Sequence, residues 1–183
     1  MAERSTRSRL AALLAALFLA LALCACAMAE ESGSYDSADP GALKDSNLAA
    51  KAALVMDSKT GTVLYEKNAR RKAFPASTTK IMTCLVALEN FPDPDQLVTV
   101  GPEADRVPAD SSKLNIRQGE QYPMIDLLYG MMMRSGNDAS MTVAVAVSGT
   151  VEDFVDLMNQ KARELGCKDT FFVNPHGYHD EAH

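Results

Sequence analysis

The sequence predicts an α/β fold in which N-terminal strands are followed by an all-helical part. Two short apolar runs, residues 52–57 and 62–66, flank a Ser58–Gly61 turn, and this pattern predicts two antiparallel strands. Farther along, apolar residues recur at helical spacing in several segments. With 183 residues, 47% of them hydrophobic, the chain is long enough for one domain with a core.

Four segments are predicted to be helical. Apolar residues from position 81 to 88 form a stripe that ends at Phe91-Pro92, and a second stripe begins at Met124 and ends near Ser135. Residues 139–147 are apolar on nearly every face, which predicts a buried, central helix. Thr150 and Asp153 resemble a capping box that starts the last helix, and residues 170–173 are expected to be extended.

The first 29 residues have the composition of a secretory signal peptide. Three arginines precede an apolar run from Leu10 to Met28, which ends in the small-x-small pattern Ala27-Met28-Ala29. Two alternatives remain open: the run stays uncleaved and gives membrane anchoring, or Cys26 is a lipidated lipoprotein site. All three interpretations place the rest of the chain outside the cytoplasmic membrane.

Residues 30–48 lack apolar periodicity and are expected to form a flexible linker, so that residues 49–183 make up the folded domain. The net charge of −6 argues against a nucleic-acid partner. Outside the export signal, the cysteines are Cys84 and Cys167, too few for a disulfide framework. We interpret both as structural.

Ser77 stands where the first helix is expected to begin, and Lys80 follows one turn later. Three steps along a helix bring two side chains onto nearly the same face, so the Lys80 amine can reach the Ser77 hydroxyl. A lysine in an apolar site can lose its proton near neutral pH and act as a base for a nucleophile. The simpler alternative is a capping serine beside a surface lysine.

Ser135-Gly136-Asn137 lies between two predicted helices and offers a second hydroxyl and a carboxamide. A hydroxyl can relay protons, and an amide can bind a peptide carbonyl. The alternative is a glycine that ends one helix and an asparagine that caps the next. Both interpretations can hold together.

These two motifs, in this order, resemble the penicillin-binding protein and serine β-lactamase superfamily. Within it, the chain resembles serine-type D-alanyl-D-alanine carboxypeptidases from about Ala52 to the last residue. The stretches that carry the resemblance are Tyr65–Ala69, Phe74–Thr83, Met133–Ala139 and Phe172–Gly177.

The resemblance implies a β-lactamase/transpeptidase-like fold and a role for each motif residue. Ser77 would attack the carbonyl between the two terminal D-alanines of a peptidoglycan stem peptide and form an acyl-enzyme, and Lys80 would take its proton. Ser135 would pass a proton to the leaving D-alanine, and Asn137 would bind the substrate backbone. β-Lactam antibiotics would acylate the same serine, and no cofactor is implied.

Relatives in that family carry a third motif, Lys-Thr-Gly, on a strand well after Ser-x-Asn. In this chain Lys59-Thr60-Gly61 precedes the nucleophile and falls in the expected hairpin turn, so we interpret it as a turn and not as that motif. The resemblance therefore implies a C-terminally truncated domain that lacks the last strands of the sheet. As a fragment it is expected to be marginally stable and nearly inactive.

Two other functions fit the motifs. One is a class A β-lactamase, which also needs a deacylating glutamate that the sequence does not identify. The other is a non-catalytic remnant that binds penicillin or peptidoglycan.

Three histidines, His176, His179 and His183, invite a metal interpretation together with Asp180 and Glu181. The spacing differs from H-E-x-x-H, and we favour a polar loop without a metal.

Overall fold

The computed structural model describes residues 48–183, which divide between Arg71 and Lys72 into two compact units. The predicted signal peptide, residues 1–29, and all but the last residue of the predicted linker lie outside the described residues. None of the helices within residues 48–183 combines the length and the apolar character needed to cross a membrane.

The first unit is the predicted β-hairpin. Strand β1 (Ala53–Met56) pairs antiparallel with strand β2 (Val63–Lys67). Consecutive strand residues point to opposite faces, and apolar residues on both faces are about half exposed. These residues are Leu54, Val55, Met56, Val63 and Leu64.

The hairpin turn is organised by Asp57. Its Oδ1 accepts the main-chain N–H groups of Lys59 and Thr60 at 3.1 and 2.7 Å. Gly61 completes the turn at a φ of +73°, in the left-handed region that glycine adopts without strain. Lys59-Thr60-Gly61 is therefore a turn, as predicted.

Residues 72–183 form the second unit, which contains four α-helices and a small sheet. The helices are α1 (Thr79–Asn90), α2 (Met124–Arg134), α3 (Asn137–Ser148) and α4 (Val151–Glu164). Strand β3 (Leu97–Thr99) pairs antiparallel with strand β4 (Gln121–Pro123) between α1 and α2. A 3-10 helix, Pro102–Arg106, follows β3.

Helix α3 is the centre of this unit, as its all-round apolar sequence predicts. Every residue from 137 to 144 is buried. Val143 packs in one core with Leu127 of α2, and Ala144 packs in a second core with Phe154 and Met158 of α4. The position of α3 between the two cores fixes the start of this helix, where Asn137 lies.

Of the predicted capping box at the start of α4, the N-cap contact of Thr150 is confirmed, and the Asp153 carboxylate binds the Thr150 hydroxyl. The Asp153 main-chain N–H donates to Thr150 Oγ1 at 3.0 Å, and the Thr150 hydroxyl donates to Asp153 Oδ2 at 2.7 Å. These contacts satisfy a main-chain donor that the helix itself leaves unpaired.

Several sulfur-containing side chains lie in or beside the two cores, whereas Met132 and Met133 of α2 are 45% and 79% exposed. Met124, Met131 and Met158 are at most 1% exposed and belong to the cores. Cys84 and Cys167 form no disulfide within residues 48–183, and both pack against the edges of these cores. Burial raises the pKa of the Cys84 thiol, which keeps it protonated at neutral pH.

Residues 170–173 form no strand, although an extended segment was expected there. The main-chain groups of Phe172 bind a side chain of α4 instead of a neighbouring strand. Asn159 Nδ2 donates to the Phe172 main-chain oxygen, and Asn159 Oδ1 accepts the Phe172 N–H, both at 2.8 Å. One buried amide thus satisfies both main-chain groups of Phe172.

Candidate active site

Ser77 lies in a single 3-10 turn, Ala76–Thr78, directly before α1. The preceding residue, Ala76, has a φ of +48°, in the left-handed region that costs a non-glycine residue on the order of 1–2 kcal/mol. Such strain is commonly retained at functional sites. The Ser77 side chain is exposed, and its hydroxyl is therefore accessible from solvent.

Lys80 lies one turn after Ser77 but is 2% exposed. Its Nζ donates to Asn137 Oδ1 at 2.7 Å, to the His176 main-chain oxygen at 2.8 Å and to Ser77 Oγ at 3.4 Å. Burial lowers the pKa of the Lys80 amine to about 8. A minority of the amine is therefore neutral near neutral pH, and this neutral form can accept a proton from Ser77.

Ser135 is the residue between α2 and α3 that approaches Ser77. It adopts a φ of +58° at the end of α2, and its hydroxyl donates to Ser77 Oγ at 2.8 Å. The left-handed conformation turns the chain between the two helices. Ser77 Oγ thus receives hydrogen bonds from both Lys80 and Ser135.

Asn137 is the first residue of α3, and Gly136 occupies the N-cap position. The Asn137 side chain therefore does not act as the cap that the alternative interpretation required. Its main-chain N–H donates to the Ser112 main-chain oxygen at 2.9 Å, and its amide oxygen holds Lys80. The four residues singled out from the sequence, Ser77, Lys80, Ser135 and Asn137, are thus brought together.

The turn Asn174–Gly177 forms another side of the Lys80 environment. Asn174 Oδ1 accepts the main-chain N–H groups of His176 and Gly177 at 3.2 and 2.7 Å. Thr83 of α1 donates to the Pro175 main-chain oxygen at 2.6 Å. These contacts hold the His176 carbonyl where it accepts from Lys80.

The imidazole of His176 is also buried. Its Nδ1 accepts the Tyr178 main-chain N–H at 3.1 Å, which places the ring hydrogen of the neutral form on Nε2. Burial, reinforced by the positive charge of Lys80, lowers the pKa of His176 to about 4. The ring is therefore neutral at physiological pH.

The other two histidines make different contacts. His179 stacks edge-on against Phe74, with 4.5 Å between ring centroids, whereas His183 accepts the Val173 N–H on Nδ1 and contacts Thr79 Oγ1 through Nε2. No group of three potential metal ligands occurs within the described residues.

Two sets of contacts in and around the site were not identified from the sequence. The main-chain oxygen of His176 has no side-chain signature, although Phe172–Gly177 is one of the stretches that carry the family resemblance. Asp138 is visible as an acidic residue in the first turn of a helix, where the helix dipole favours it. That position alone does not reveal its contacts with residues 114–116.

A family model described as D-alanyl-D-alanine carboxypeptidase matches residues 39–183. The chain belongs to this family. Among its curated relatives, D-alanyl-D-alanine carboxypeptidase DacF of Bacillus subtilis is 39% identical over 136 residues, which cover 73% of this chain and 35% of DacF. DacC of Escherichia coli is 40% identical over 136 residues, or 70% of this chain and 34% of DacC.

Solved structures of the family share the fold. Penicillin binding protein 5 from Haemophilus influenzae is 35% identical, with a TM-score of 0.68 over 76% of this chain and 42% of that chain. DacD from Francisella tularensis is also 35% identical, with a TM-score of 0.67 over 80% of this chain and 38% of that chain. The expected β-lactamase/transpeptidase-like fold is therefore confirmed, as a partial domain. The chain spans about a third of the length of the curated relatives DacF and DacC.

Proposed function

We propose that the chain carries the nucleophile of a serine-type D-Ala-D-Ala carboxypeptidase, which removes the terminal D-alanine from peptidoglycan stem peptides. One observation carries this proposal: Ser77 Oγ lies within hydrogen-bonding distance of both the Lys80 amine and the Ser135 hydroxyl, at 3.4 and 2.8 Å. Membership of the carboxypeptidase family supports the substrate class.

In the acylation step, neutral Lys80 accepts the proton of Ser77 as Oγ bonds to the carbonyl carbon of the penultimate D-alanine. The C–N bond to the terminal D-alanine then breaks. Ser135 relays a proton from the Lys80 ammonium to the leaving amine, and Asn137 hydrogen-bonds the peptide backbone. This step leaves an ester on Ser77 and neutral Lys80.

In the deacylation step, water attacks the ester and loses its proton to Lys80, and the Ser77 oxygen takes that proton from the Lys80 ammonium as the ester C–O bond breaks. The products are the shortened peptide and the free enzyme. β-Lactam antibiotics react at the same Ser77, because the opening of their amide bond follows the acylation route.

The substrate also implies a location outside the cytoplasm, in the cell envelope. Export by a signal peptide in residues 1–29 and a linker over residues 30–48 agree with this location. Anchoring to the membrane by an uncleaved segment or through Cys26 is part of the same proposal. Residues 49–183 belong to the transpeptidase-like domain.

The test begins with a fluorescent penicillin, which is added to two proteins. One is residues 30–183 alone, and the other is a form extended beyond His183, which we call the intact protein. We expect covalent labelling of the intact protein that is lost in Ser77→Ala and retained in Ser58→Ala, a serine of the hairpin turn. Strong labelling of residues 30–183 alone would contradict the expectation that this part is nearly inactive.

A second assay identifies the reaction. Release of D-alanine from a diacylated tripeptide that ends in two D-alanines is the expected result for the carboxypeptidase. Rapid hydrolysis of nitrocefin without this release indicates a β-lactamase, and labelling without either reaction indicates a binding remnant.

A further inference from the structure

Asp138 is a buried carboxylate to which the proposed reaction assigns no role. It follows Asn137 in the first turn of α3 and is 1% exposed. Its Oδ1 accepts the main-chain N–H groups of Leu114 and Ala139 at 3.0 and 2.9 Å. Its Oδ2 accepts those of Asn115 and Ile116 at 2.7 and 3.3 Å.

Three of these four donors belong to one loop segment, residues 114–116, more than twenty positions before Asp138. Asn115 adopts a φ of +62°, and this left-handed residue lies in the middle of the three donors. Successive N–H groups that converge on one anion form a compact binding site. The segment is thus wrapped around the Asp138 carboxylate.

The same loop is attached to the site at a second point. The main-chain oxygen of Ser112 accepts the N–H of Asn137, the residue whose amide holds Lys80. Asn137 and Asp138 therefore connect the loop to the start of α3 through adjacent residues. Movement of the loop requires movement or rupture at Asn137 as well.

Apolar packing reinforces this attachment. A Cβ atom at Gly136 would lie 2.7 Å from Leu114 Cγ, so the Leu114 side chain rests directly on the Gly136 backbone. The Leu114 side chain also lies against Gly130 of α2, where an added Cβ would overlap Leu114 Cδ1. Leu114 thus packs against α2 and against Gly136, the residue that follows Ser135.

We propose that Asp138 is a positioning residue for the reaction. Its carboxylate fastens residues 114–116 to the first turn of α3, so that Asn137 keeps its amide oxygen on the Lys80 amine. This role rests on the proposed function, because it acts through the Lys80 base. Asp138 itself touches neither Ser77 nor Lys80 in any of its hydrogen bonds.

The substitution Asp138→Asn separates positioning from simple filling of space, because it retains the shape of the side chain. An amide has one acceptor oxygen and places its N–H groups toward main-chain N–H groups, so at least part of the loop is released. Water then reaches Lys80 past the displaced Asn137. Since burial is what lowers the pKa of Lys80, that pKa rises toward its ordinary value.

The experiment measures the acylation rate of the intact protein by a fluorescent penicillin across a pH series. For Asp138→Asn we expect about a tenfold slower reaction at neutral pH, as for loss of a buried hydrogen bond to a charged group. The acid limb of the rate profile moves to higher pH. The matched control is Glu103→Gln, another buried carboxylate, which accepts the Gly101 N–H at 3.0 Å and should leave the acid limb in place.

A labelled wild-type protein with an unchanged acid limb in Asp138→Asn overturns this inference and leaves the proposed function intact. An unlabelled wild type overturns the proposed function, and the inference fails with it. If Asp138→Asn does not fold, the pH profile of Leu114→Ala is measured instead, because this substitution weakens the same loop attachment without changing a charge. A Leu114→Ala profile identical to that of the wild type then overturns the inference.

Discussion

The Lys80 amine donates to the main-chain oxygen of His176, a residue 96 positions later in the chain, at 2.8 Å. The loop after α4 therefore helps to enclose a lysine on α1. Asn137 on α3 provides the second short contact, at 2.7 Å, so three separate segments meet at one amine. This enclosure excludes water, and it is the cause of the lowered pKa of Lys80.

The acylation rate should follow the titration of Lys80. Below a pH of about 8 the amine carries a proton and cannot accept another from Ser77, so the rate should fall with decreasing pH. The slope should approach about tenfold for each pH unit at low pH. A pH series of fluorescent penicillin labelling measures this profile.

A lysine outside the site provides the control for this profile. Lys161 forms ion pairs with Glu89 and Glu164 at 2.6 and 2.9 Å, and these partners raise its pKa. Lys161→Met should therefore leave the acid limb unchanged, whereas Lys80→Met should reduce labelling about 100-fold or more, as for loss of a general base. A Lys80→Met variant that labels at the wild-type rate would exclude the amine as the base.

Hydrophobic periodicity is sufficient to predict the hairpin and the four helices, because each depends on residues close in sequence. The proximity of Ser77 and Lys80 can also be predicted, because the two residues are one helical turn apart. The prediction of an extended segment at residues 170–173 did not yield a strand. There Asn159 supplies the hydrogen bonds to Phe172. The sequence of residues 170–173 does not predict this partner, which lies in α4.

The surroundings of Lys80 are harder to predict from sequence than its identity. His176 contributes a main-chain oxygen, and any residue type carries one. Asp138 binds main-chain groups of residues 114–116, a loop segment without periodicity. Contacts of this kind are determined by how distant loops pack, which no local pattern encodes.

The buried imidazole of His176 should make stability depend on pH. Its pKa is about 4 in the folded chain and about 6.5 when unfolded, so the unfolded state binds more protons between these values. The free energy of unfolding should therefore fall as pH decreases from about 6.5 to 4, by on the order of 3 kcal/mol. Urea unfolding of the intact protein at several pH values measures this dependence.

His176→Asn provides the comparison, because its amide oxygen can replace Nδ1 as acceptor for the Tyr178 N–H but does not titrate. Subtracting the variant's pH dependence from that of the wild type removes the contributions of other groups. Equal slopes for the two proteins would contradict a buried, neutral His176.

Gly177 should tolerate no side chain, because its Cα lies against the main chain of Ala76, next to Ser77. An added Cβ would overlap the Ala76 carbonyl and come within 2.8 Å of Thr79 Oγ1. We expect Gly177→Ala to reduce both the stability and the labelling rate. Gly166→Ala is the matched control, since Gly166 has the same φ of +80° but no atom of the described residues lies within 4 Å of the added Cβ.

Both substitutions carry the same backbone strain, about 1 kcal/mol for alanine in the left-handed region. The difference between them therefore measures the overlap with Ala76. Labelling rates that fall equally in the two variants would show that the contact does not position Ser77.

Two buried threonines should respond differently to replacement by valine. Thr83 Oγ1 donates to the Pro175 main-chain oxygen at 2.6 Å, whereas Thr142 Oγ1 has no hydrogen-bond partner among the described residues. Thr83→Val leaves a buried carbonyl without this donor and should lower the free energy of unfolding by about 1–3 kcal/mol. Thr142→Val removes an unpaired hydroxyl and should leave stability unchanged or increase it.

The Thr83 contact also holds the turn that presents the His176 oxygen to Lys80. Thr83→Val should therefore slow penicillin labelling, and Thr142→Val should not, although the two side chains are equally buried. Chemical denaturation measures the effect of each substitution on stability, and penicillin labelling of the same two variants measures its effect on the acylation rate. A Thr83→Val protein that is destabilised yet labels at the full rate would show that the turn keeps its position without this hydrogen bond.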